Sequence, residues 1–400
     1  MIEVAVVWLV ILCSAALSVP IAVYAIECLA GSLPSRRERV PDRRIRPAIA
    51  VLVPAHDEEA GISETLANIR SQLAVGDRLV VVADNCRDQT AALARAAGAE
   101  VVERRDEERR GKGYALDTGI RHLAEAPPAI VLIVDADCQF GPGAIDHLAG
   151  AAAATGRPIQ ARNLMLAPKG AGLNLSVAEF AFLVKNHVRP LGLYRLGLPC
   201  QVTGTGTAFP WEVLGHAKLA NANIVEDVKM GLELAYAGHP PQFCEKALVT
   251  SFFPYSNEGA ETQRRRWENG HLALIRSALR SLFYPKTYRG VNYLAMTLDI
   301  IVPPLTLLAG VAVAMLLVSG AISLAGLGAT AFWISMANVA LLLAATFIAW
   351  AVHGRVALPA RTLVGVPAYI LAKFARYPRA LLHRSNDGWV RTDRTRPEES

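Results

Sequence analysis

The apolar positions of this chain fall into three regimes. From Val4 to Ile26 they run without one charged residue, enough for a membrane-crossing helix at about 1.5 Å per residue. From Ile300 to Val352 the chain is again uncharged, long enough for two crossings joined by a short turn around Gly320 to Gly328. Between them, short apolar runs alternate with amphipathic stretches. Ala48 to Val53, Arg78 to Ala83, Glu100 to Glu103 and Ala129 to Val134 read as strands. Glu59 to Leu73, Asp88 to Ala97 and Lys112 to Ala124 read as the helices between them. This order predicts a doubly wound α/β sheet with parallel strands covered on both faces. The second half is less regular. Ala171 to Val188 and Glu226 to Ala237 carry helical patterns, and Cys200 to Thr203 leads into the glycine-rich turn Thr203-Gly204-Thr205-Gly206-Thr207. Gln263 to Leu282 reads as an amphipathic helix able to rest on a membrane surface.

Charge orients this layout. Arg36, Arg37, Arg39, Arg43, Arg44 and Arg46 follow the first apolar run, so the positive-inside rule puts the amino terminus outside and the middle of the chain in the cytoplasm. Two later spans return the basic tail, with Arg376, Arg379, Arg384, Arg391, Arg394 and Arg396, to the same side. Glu3 is the only charged side chain ahead of the first run, which therefore lacks the basic start of a cleaved signal peptide and reads as a retained anchor. Leu363 to Ala375 is short and holds Pro367 and Lys373, which suits an interfacial helix. The expected organisation is an anchor over residues 1–30, a basic linker over 31–47, a cytoplasmic domain over 48–285, two spans within 291–353, and an interfacial helix and basic tail over 354–400. Such a chain would sit in the cell (inner) membrane as a multi-pass protein.

Composition refines this only a little. The net charge of +6 comes largely from the juxtamembrane arginines, and no nucleic-acid motif accompanies it, so it reads as attraction to anionic lipid headgroups. The six cysteines form no Cys-x-x-Cys pair, which fits a reduced compartment and indicates neither a disulfide framework nor a zinc site.

The candidate chemistry gathers where strands end. Asp135-Ala136-Asp137 leaves the apolar strand Ala129 to Val134, and in open α/β sheets ligands bind at that carboxyl edge. Paired carboxylate oxygens there suit a hard divalent cation, Mg²⁺ or Mn²⁺, that itself holds a diphosphate. His56-Asp57-Glu58-Glu59 and Asp84-Asn85 lie at the ends of two other strands on the same edge, where carboxylates can accept from base and ribose donors. Each acid also has a plainer reading, as a first-turn helix residue or turn cap. Lys112-Gly113 opens a helix where a lysine can approach a phosphate. Glu226-Asp227 stands at a helix start, either compensating the helix dipole or supplying a general base. Gln263-Arg264-Arg265-Arg266-Trp267 offers a fork-shaped cation and an aromatic plate on neighbouring helical faces; the same pair could instead anchor an interfacial helix.

The order of these elements resembles the membrane-bound family 2 glycosyltransferases, which include cellulose, chitin-oligosaccharide and hyaluronan synthases and bacterial exopolysaccharide enzymes. Their spaced aspartates followed by Gln-x-x-Arg-Trp are matched by Asp84, Asp135-Ala136-Asp137, Glu226-Asp227 and Gln263-x-x-Arg266-Trp267. The resemblance implies a glycosyltransferase-A type domain, with one amino-terminal and two carboxy-terminal transmembrane helices. It implies that Pro54, His56, Glu58 and Asp84 line a nucleotide pocket, that Lys112 approaches the diphosphate or base, and that Asp135 and Asp137 bracket the diphosphate and its metal, with Asp137 the more direct ligand. Asp227 would be the base, and Arg266 would hold the leaving diphosphate. Thr205, Gly206, Gln263 and Trp267 would face the acceptor. The expected activity is inverting transfer of a sugar, giving a β linkage, from a nucleoside diphosphate donor, UDP-linked by preference, to a lipid-linked or glycan acceptor in envelope or exopolysaccharide assembly. Partner assembly proteins and membrane lipids fit that setting. Three departures stand out: His56-Asp57 replaces the common Tyr-Asn, Asp84-Asn85 replaces the more usual Asp-Asp, and no clear match to the gating-loop motif of the large processive synthases is found. A processive synthase and an inactive nucleotide-sugar-binding scaffold are the alternatives.

Overall fold

The computed structural model describes residues 2–34, 46–168, 170–215, 226–254, 267, 270–280 and 290–374. Its first half follows the alternation in the sequence. Strands β1 (Ile49–Ala55), β2 (Arg78–Asp84) and β3 (Glu100–Arg104) pair in parallel, and β4 (Ile130–Ile133) joins β1 on its other side, with Leu52 opposite Ile133. Helices α2 (Ile62–Arg70), α3 (Thr90–Ala96) and α4 (Lys112–Leu123) connect them. Side chains alternate along each strand, so both faces fill with apolar groups. Val51, Val53, Val81 and Leu132 pack with Ile62 and Leu66 of α2, while Ala50, Leu52, Val80 and Val131 pack with Leu116 of α4.

Beyond β4 the sheet is mixed. Strand β5 (Gln139–Phe140), helix α5 (Ala144–Thr155) and β6 (Ile159–Leu166) precede α6 (Leu173–Leu183), the π turn Val184–Val188 and α7 (Arg189–Arg195). Then come β7 (Thr207–Pro210), the single turn α8 (Trp211–Leu214), α9 (Glu226–Tyr236) and β8 (Gln242–Phe252). The eight strands run in the order β3-β2-β1-β4-β7-β6-β8-β5; β7 is antiparallel to β4 and β6, and β8 is parallel to β6 and antiparallel to β5. The parallel strands expected from the sequence, β1 to β4, are all found, and the antiparallel pairs lie in the half whose pattern is less regular. Ala171 to Val188 is helical as expected from Leu173 onward but widens into the π turn at Val184, a device that often marks a functional segment.

Among the described residues, three helices are long and apolar enough to cross a membrane: α1 (Ile2–Ser32), α12 (Leu305–Leu324) and α13 (Thr330–Ala349), the last extended by a π turn to Gly354. The second span starts later than the uncharged run does, because Pro303-Pro304 separates it from α11 (Gly290–Ile300). Residues 270–280 form α10, inside the expected amphipathic helix, and α14 (Val366–Phe374) occupies the expected interfacial segment. Between α1 and α13, Ser14 bonds Ser335 at 3.0 Å, Asn338 donates to the Ser14 carbonyl at 3.0 Å, and Tyr24 bonds Thr346 at 2.9 Å. Polar contacts of this kind fix helix pairs where no hydrophobic force separates helix from lipid.

The long apolar helices and the α/β domain share a core. Phe180, Val184 and Val188 pack among Ile21, Tyr24 and Cys28 of α1 and Leu342 and Ala345 of α13. At Gly31 and Gly192 the backbones of α1 and α7 touch: an added Cβ would stand 2.1 Å from the Val188 carbonyl oxygen and 2.0 Å from that of Glu27, respectively. A buried triad closes the joint. Arg189 Nε donates to Glu27 at 2.6 Å, and its Nη2 reaches both the carboxylate and, at 2.9 Å, the carbonyl of Asp299.

Candidate active site

Parallel packing of β1, β2 and β4 delivers three chain turns to one edge. After β1, His56 Nδ1 lies 2.6 Å from the Asp84 carbonyl at the end of β2, so the proton on that nitrogen ties the two turns together. Asp57 and Asn85, with φ of 51° and 52°, are the only non-glycine residues of positive φ among the described residues, and both sit here. Such backbone cost clusters where a fold holds a site open. Glu58 receives Thr90 through its backbone, its N–H donating to Oγ1 at 2.7 Å, and its carbonyl starts α2. Pro54 lies in β1 opposite Val82. Asp84 is buried, and its carboxylate is already matched: Arg104 Nη1 donates to it at 2.6 Å, and Asn85 at 3.0 Å. Arg104 in turn lies over the Tyr114 ring, 5.5 Å from its centroid. Sequence reading missed Arg104, although its place at the end of β3, beside the Asp84 strand end, was there to be read.

Lys112 is the hub of the site. Its ammonium bonds Asp135 and, at 2.5 Å, the Gly204 carbonyl in the turn before β7. Asp227, at the start of α9, lies against the same turn: a Cβ on Gly204 would meet Asp227 Oδ2 at 2.8 Å and Lys112 Nζ at 3.5 Å. With φ of +79° as well, Gly204 admits only glycine for two independent reasons. Asp227 keeps some accessible surface although protein surrounds it. Burial lifts its carboxyl above the ordinary carboxylate range, and Lys112 and Lys185 pull it back part of the way.

The two aspartates after β4 are set by their own turn. The Asp135 N–H donates to Thr205 Oγ1 at 3.0 Å, and Thr205 Oγ1 lies 3.5 Å from Cys138 Sγ. Asp135, Asp137 and Cys138 each bring a potential ligand atom within 4.8 Å of the others. Burial pushes the Cys138 thiol up to about 12, so it stays a neutral thiol at neutral pH. An oxygen pair of this kind fits a hard divalent cation and not a thiolate-seeking one.

On the far side of Gly204 the turn faces the sheet. Thr205 is buried on Asp135, and Gly206 accepts from the Ala161 N–H at 2.8 Å with its α-carbon toward Val249 and Ala161. Gln160 clamps this turn, its Oε1 accepting from the Thr203 N–H at 2.9 Å and the Thr207 hydroxyl at 2.8 Å. Trp267 packs on Phe182 at 6.0 Å between ring centroids, and Phe182 on Phe253 at 6.4 Å. Gln263 and Arg266 lie outside the described residues. The structure therefore brings Lys112, Asp135 and Asp227 together around one turn with Asp137 beside them, and sets the aromatic group of Trp267 against α6.

A family model described as glycosyltransferase-like family 2 matches residues 47–270. The chain belongs to that family. The Bacillus subtilis protein named "Probable glycosyltransferase YdaM" is 24% identical over 278 residues, covering 64% of this chain and 62% of that protein. The Mycobacterium tuberculosis protein named "Uncharacterized glycosyltransferase Rv0539" is 36% identical over 115 residues, 28% of this chain and 48% of that one. This family 2 chain thus spans less than two thirds of the length of either relative. Among solved structures, a mannosyltransferase from Pyrobaculum calidifontis, crystallised with GDP-mannose and Mn²⁺, superposes with a TM-score of 0.51 at 18% identity, covering 92% of this chain and 99% of that one. A likeness at that identity fixes the fold: a glycosyltransferase-A type α/β domain.

Proposed function

We propose that this family 2 chain transfers a sugar from a nucleoside diphosphate sugar, UDP-linked by preference, to a hydroxyl of a membrane-held acceptor, with inversion to a β linkage. The observation that carries the reading is the convergence of Lys112, Asp135 and Asp227 on Gly204, with Asp137 alongside, at the carboxyl edge of the sheet. In this reading Pro54, His56, Glu58 and Asp84 wall the nucleotide. Asp135 and Asp137 would hold a divalent cation, Mg²⁺ or Mn²⁺, which when bound neutralises the diphosphate and makes it a better leaving group. Lys112 gives up part of its bond to Asp135 and turns toward phosphate oxygens. Asp227 takes the proton of the acceptor hydroxyl as its oxygen bonds to the anomeric carbon, and the bond to the diphosphate breaks with its electron pair staying on the diphosphate. A carboxylate lifted by burial is a stronger base than a solvated one, which suits that task. Arg266, by the family pattern, steadies the departing charge, and Gln263, Trp267 and the Thr205-Gly206 turn border the acceptor.

The three candidate spans among the described residues are few to wall a polymer channel, so addition of one or a few sugars in envelope or exopolysaccharide assembly is the favoured outcome. The test is UDP release by membranes carrying the chain, with a panel of UDP- and GDP-sugars and a lipid extract, followed by mass analysis of the product. A single mass increment supports the reading, a long ladder supports a processive synthase, and nucleotide binding without release under every donor supports a scaffold.

A further inference from the structure

Behind the Asp135-Ala136-Asp137 turn, hydrogen bonds run head to tail from one aspartate to the other. The Asp135 N–H donates to Thr205 Oγ1 at 3.0 Å, that hydroxyl donates to Cys138 Sγ at 3.5 Å, and the thiol donates to Asp137 Oδ1 at 3.4 Å. The direction is fixed at both ends, because a backbone N–H can only donate and an ionised carboxylate can only accept. The hydroxyl and the thiol between them must therefore both point their single proton toward Asp137. Each is also held from its other side. Gln160 Nε2 donates to the Thr205 carbonyl at 3.0 Å, and the Cys138 N–H donates to the Asp135 carbonyl at 3.1 Å. Both side chains are buried, Cys138 within the apolar core that includes Ala161 and Val249. Valine and alanine would fill such a wall. A hydroxyl and a thiol there do something that packing does not ask for. Cys138 Sγ also lies within 4.8 Å of ligand atoms on both aspartates, but a sulfur bound to a metal is a thiolate with no proton to give, and here the proton goes to Asp137.

We propose that Thr205 and Cys138 are positioning residues for the divalent cation: they tie the backbone of Asp135 to the carboxylate of Asp137, so that the two acids keep one spacing and one orientation before the cation arrives. The inference rests on the reading of Asp135 and Asp137 as the metal pair. It assigns the Thr205 hydroxyl to the metal side of the glycine-rich turn and leaves the backbone of that turn to the acceptor. Carboxylates that hold a metal are themselves held by hydrogen bonds, and losing such a partner typically costs about 10- to 100-fold in metal affinity.

The test is Mn²⁺ affinity of the full chain in detergent with saturating UDP, followed by the electron paramagnetic resonance of free Mn²⁺, beside the thermal unfolding midpoint of each variant. Thr205→Val keeps the shape and removes the hydroxyl, whereas Thr205→Ser keeps the hydroxyl and removes a methyl group. Positioning predicts that Thr205→Val weakens Mn²⁺ binding about 10- to 100-fold and that Thr205→Ser stays within a few-fold of wild type. A packing role predicts another order: both variants bind Mn²⁺ as wild type does, and Thr205→Ser has the lower midpoint. Cys138→Ala should weaken Mn²⁺ binding about 10-fold, and Cys138→Ser, which restores a donor, should recover most of it. The inference is overturned if Thr205→Val and Cys138→Ala both bind Mn²⁺ normally. It is also overturned, in favour of a sulfur ligand, if wild type prefers Cd²⁺ to Mn²⁺ and Cys138→Ser loses that preference. A wild-type chain that binds no Mn²⁺ overturns it together with the metal reading. Because the measurement needs no sugar transfer, the expected order of Mn²⁺ affinities without UDP release from any donor would sink the transferase reading and leave the positioning role standing.

Discussion

At the scale of single residues, Asp227 joins two properties that a helix-capping acid does not need together: it is surrounded by protein, and it lies beside the Lys112–Asp135 pair. If it served only the dipole of α9, Asp227→Asn would cost about 0.3–1 kcal/mol of local stability and leave turnover nearly intact. As a base, the same isosteric change should cut turnover about 10²- to 10⁴-fold with little change in UDP affinity. The pH profile gives a second reading. The ionised form is the active one and the carboxyl is lifted by burial, so the rate should fall as pH drops through a value above that of a solvated aspartate, about 3.9. Initial rates from pH 4 to 8, alongside UDP titrations, decide between the two. Asp137→Asn tests the other carboxylate: removing one charged ligand should lower turnover by about 10² or more, and excess chelator should abolish wild-type activity. Full activity in chelator would remove the metal from the account.

Elements explain why some of this was legible in the sequence. Strands β1, β2 and β4 are short apolar runs that stop at acids, so both their existence and the edge they share could be read directly from Ala48 to Asp57, Arg78 to Asp84 and Ala129 to Asp137. Strand β6 could not. Gln160, Arg162 and Asn163 interrupt its hydrophobic pattern, and Gln160 is there because the glycine-rich turn needs a buried clamp. A polar residue that serves the site thus erased the periodicity that would have revealed its strand. Likewise Ala171 to Val188 read as one helix, with no sign that Lys185 would be exposed and Arg189 buried, since the π turn changes which residues share a face. The Glu27–Arg189–Asp299 triad joins three segments far apart in sequence, which pattern cannot show. Its energetics can be tested. Arg189→Met leaves two buried carboxylates uncompensated and should destabilise the protein by about 3–5 kcal/mol. The triple change Glu27→Gln, Arg189→Met and Asp299→Asn should recover much of that loss. Thermal unfolding of the detergent-purified variants provides the comparison, and equal midpoints for wild type and Arg189→Met would contradict it.

Across the whole molecule, the anchor and the domain form one packed body rather than a tethered pair. Gly31 meets α7 backbone to backbone, Glu27 pairs with Arg189, and Phe180 and Val188 share a core with Tyr24 and Ala345. That union has a topological consequence: whichever side of the membrane holds the carboxyl end of α1 also holds the sheet edge with Asp135 and Asp227. From the arginines between Arg36 and Arg46 we propose, by the positive-inside rule, that this side is the cytoplasm. On that proposal α12 and α13 would make one excursion outward and back, with the turn at Gly326 on the far side. Reporter fusions at residue 40 and after residue 400 should therefore be active only in the cytoplasm, and a fusion at Gly326 only outside. The sharper expectation concerns α14, which has nine residues, about 14 Å of helix, against a hydrocarbon core of about 30 Å. The described helix is shorter than that core, and Lys373 within it bonds Thr306 at the start of the second span at 3.0 Å, which holds it beside that end of the helix. An external carboxy-terminal reporter would mean that α14 and its flanks cross after all, and would put the basic tail on the side opposite the active site.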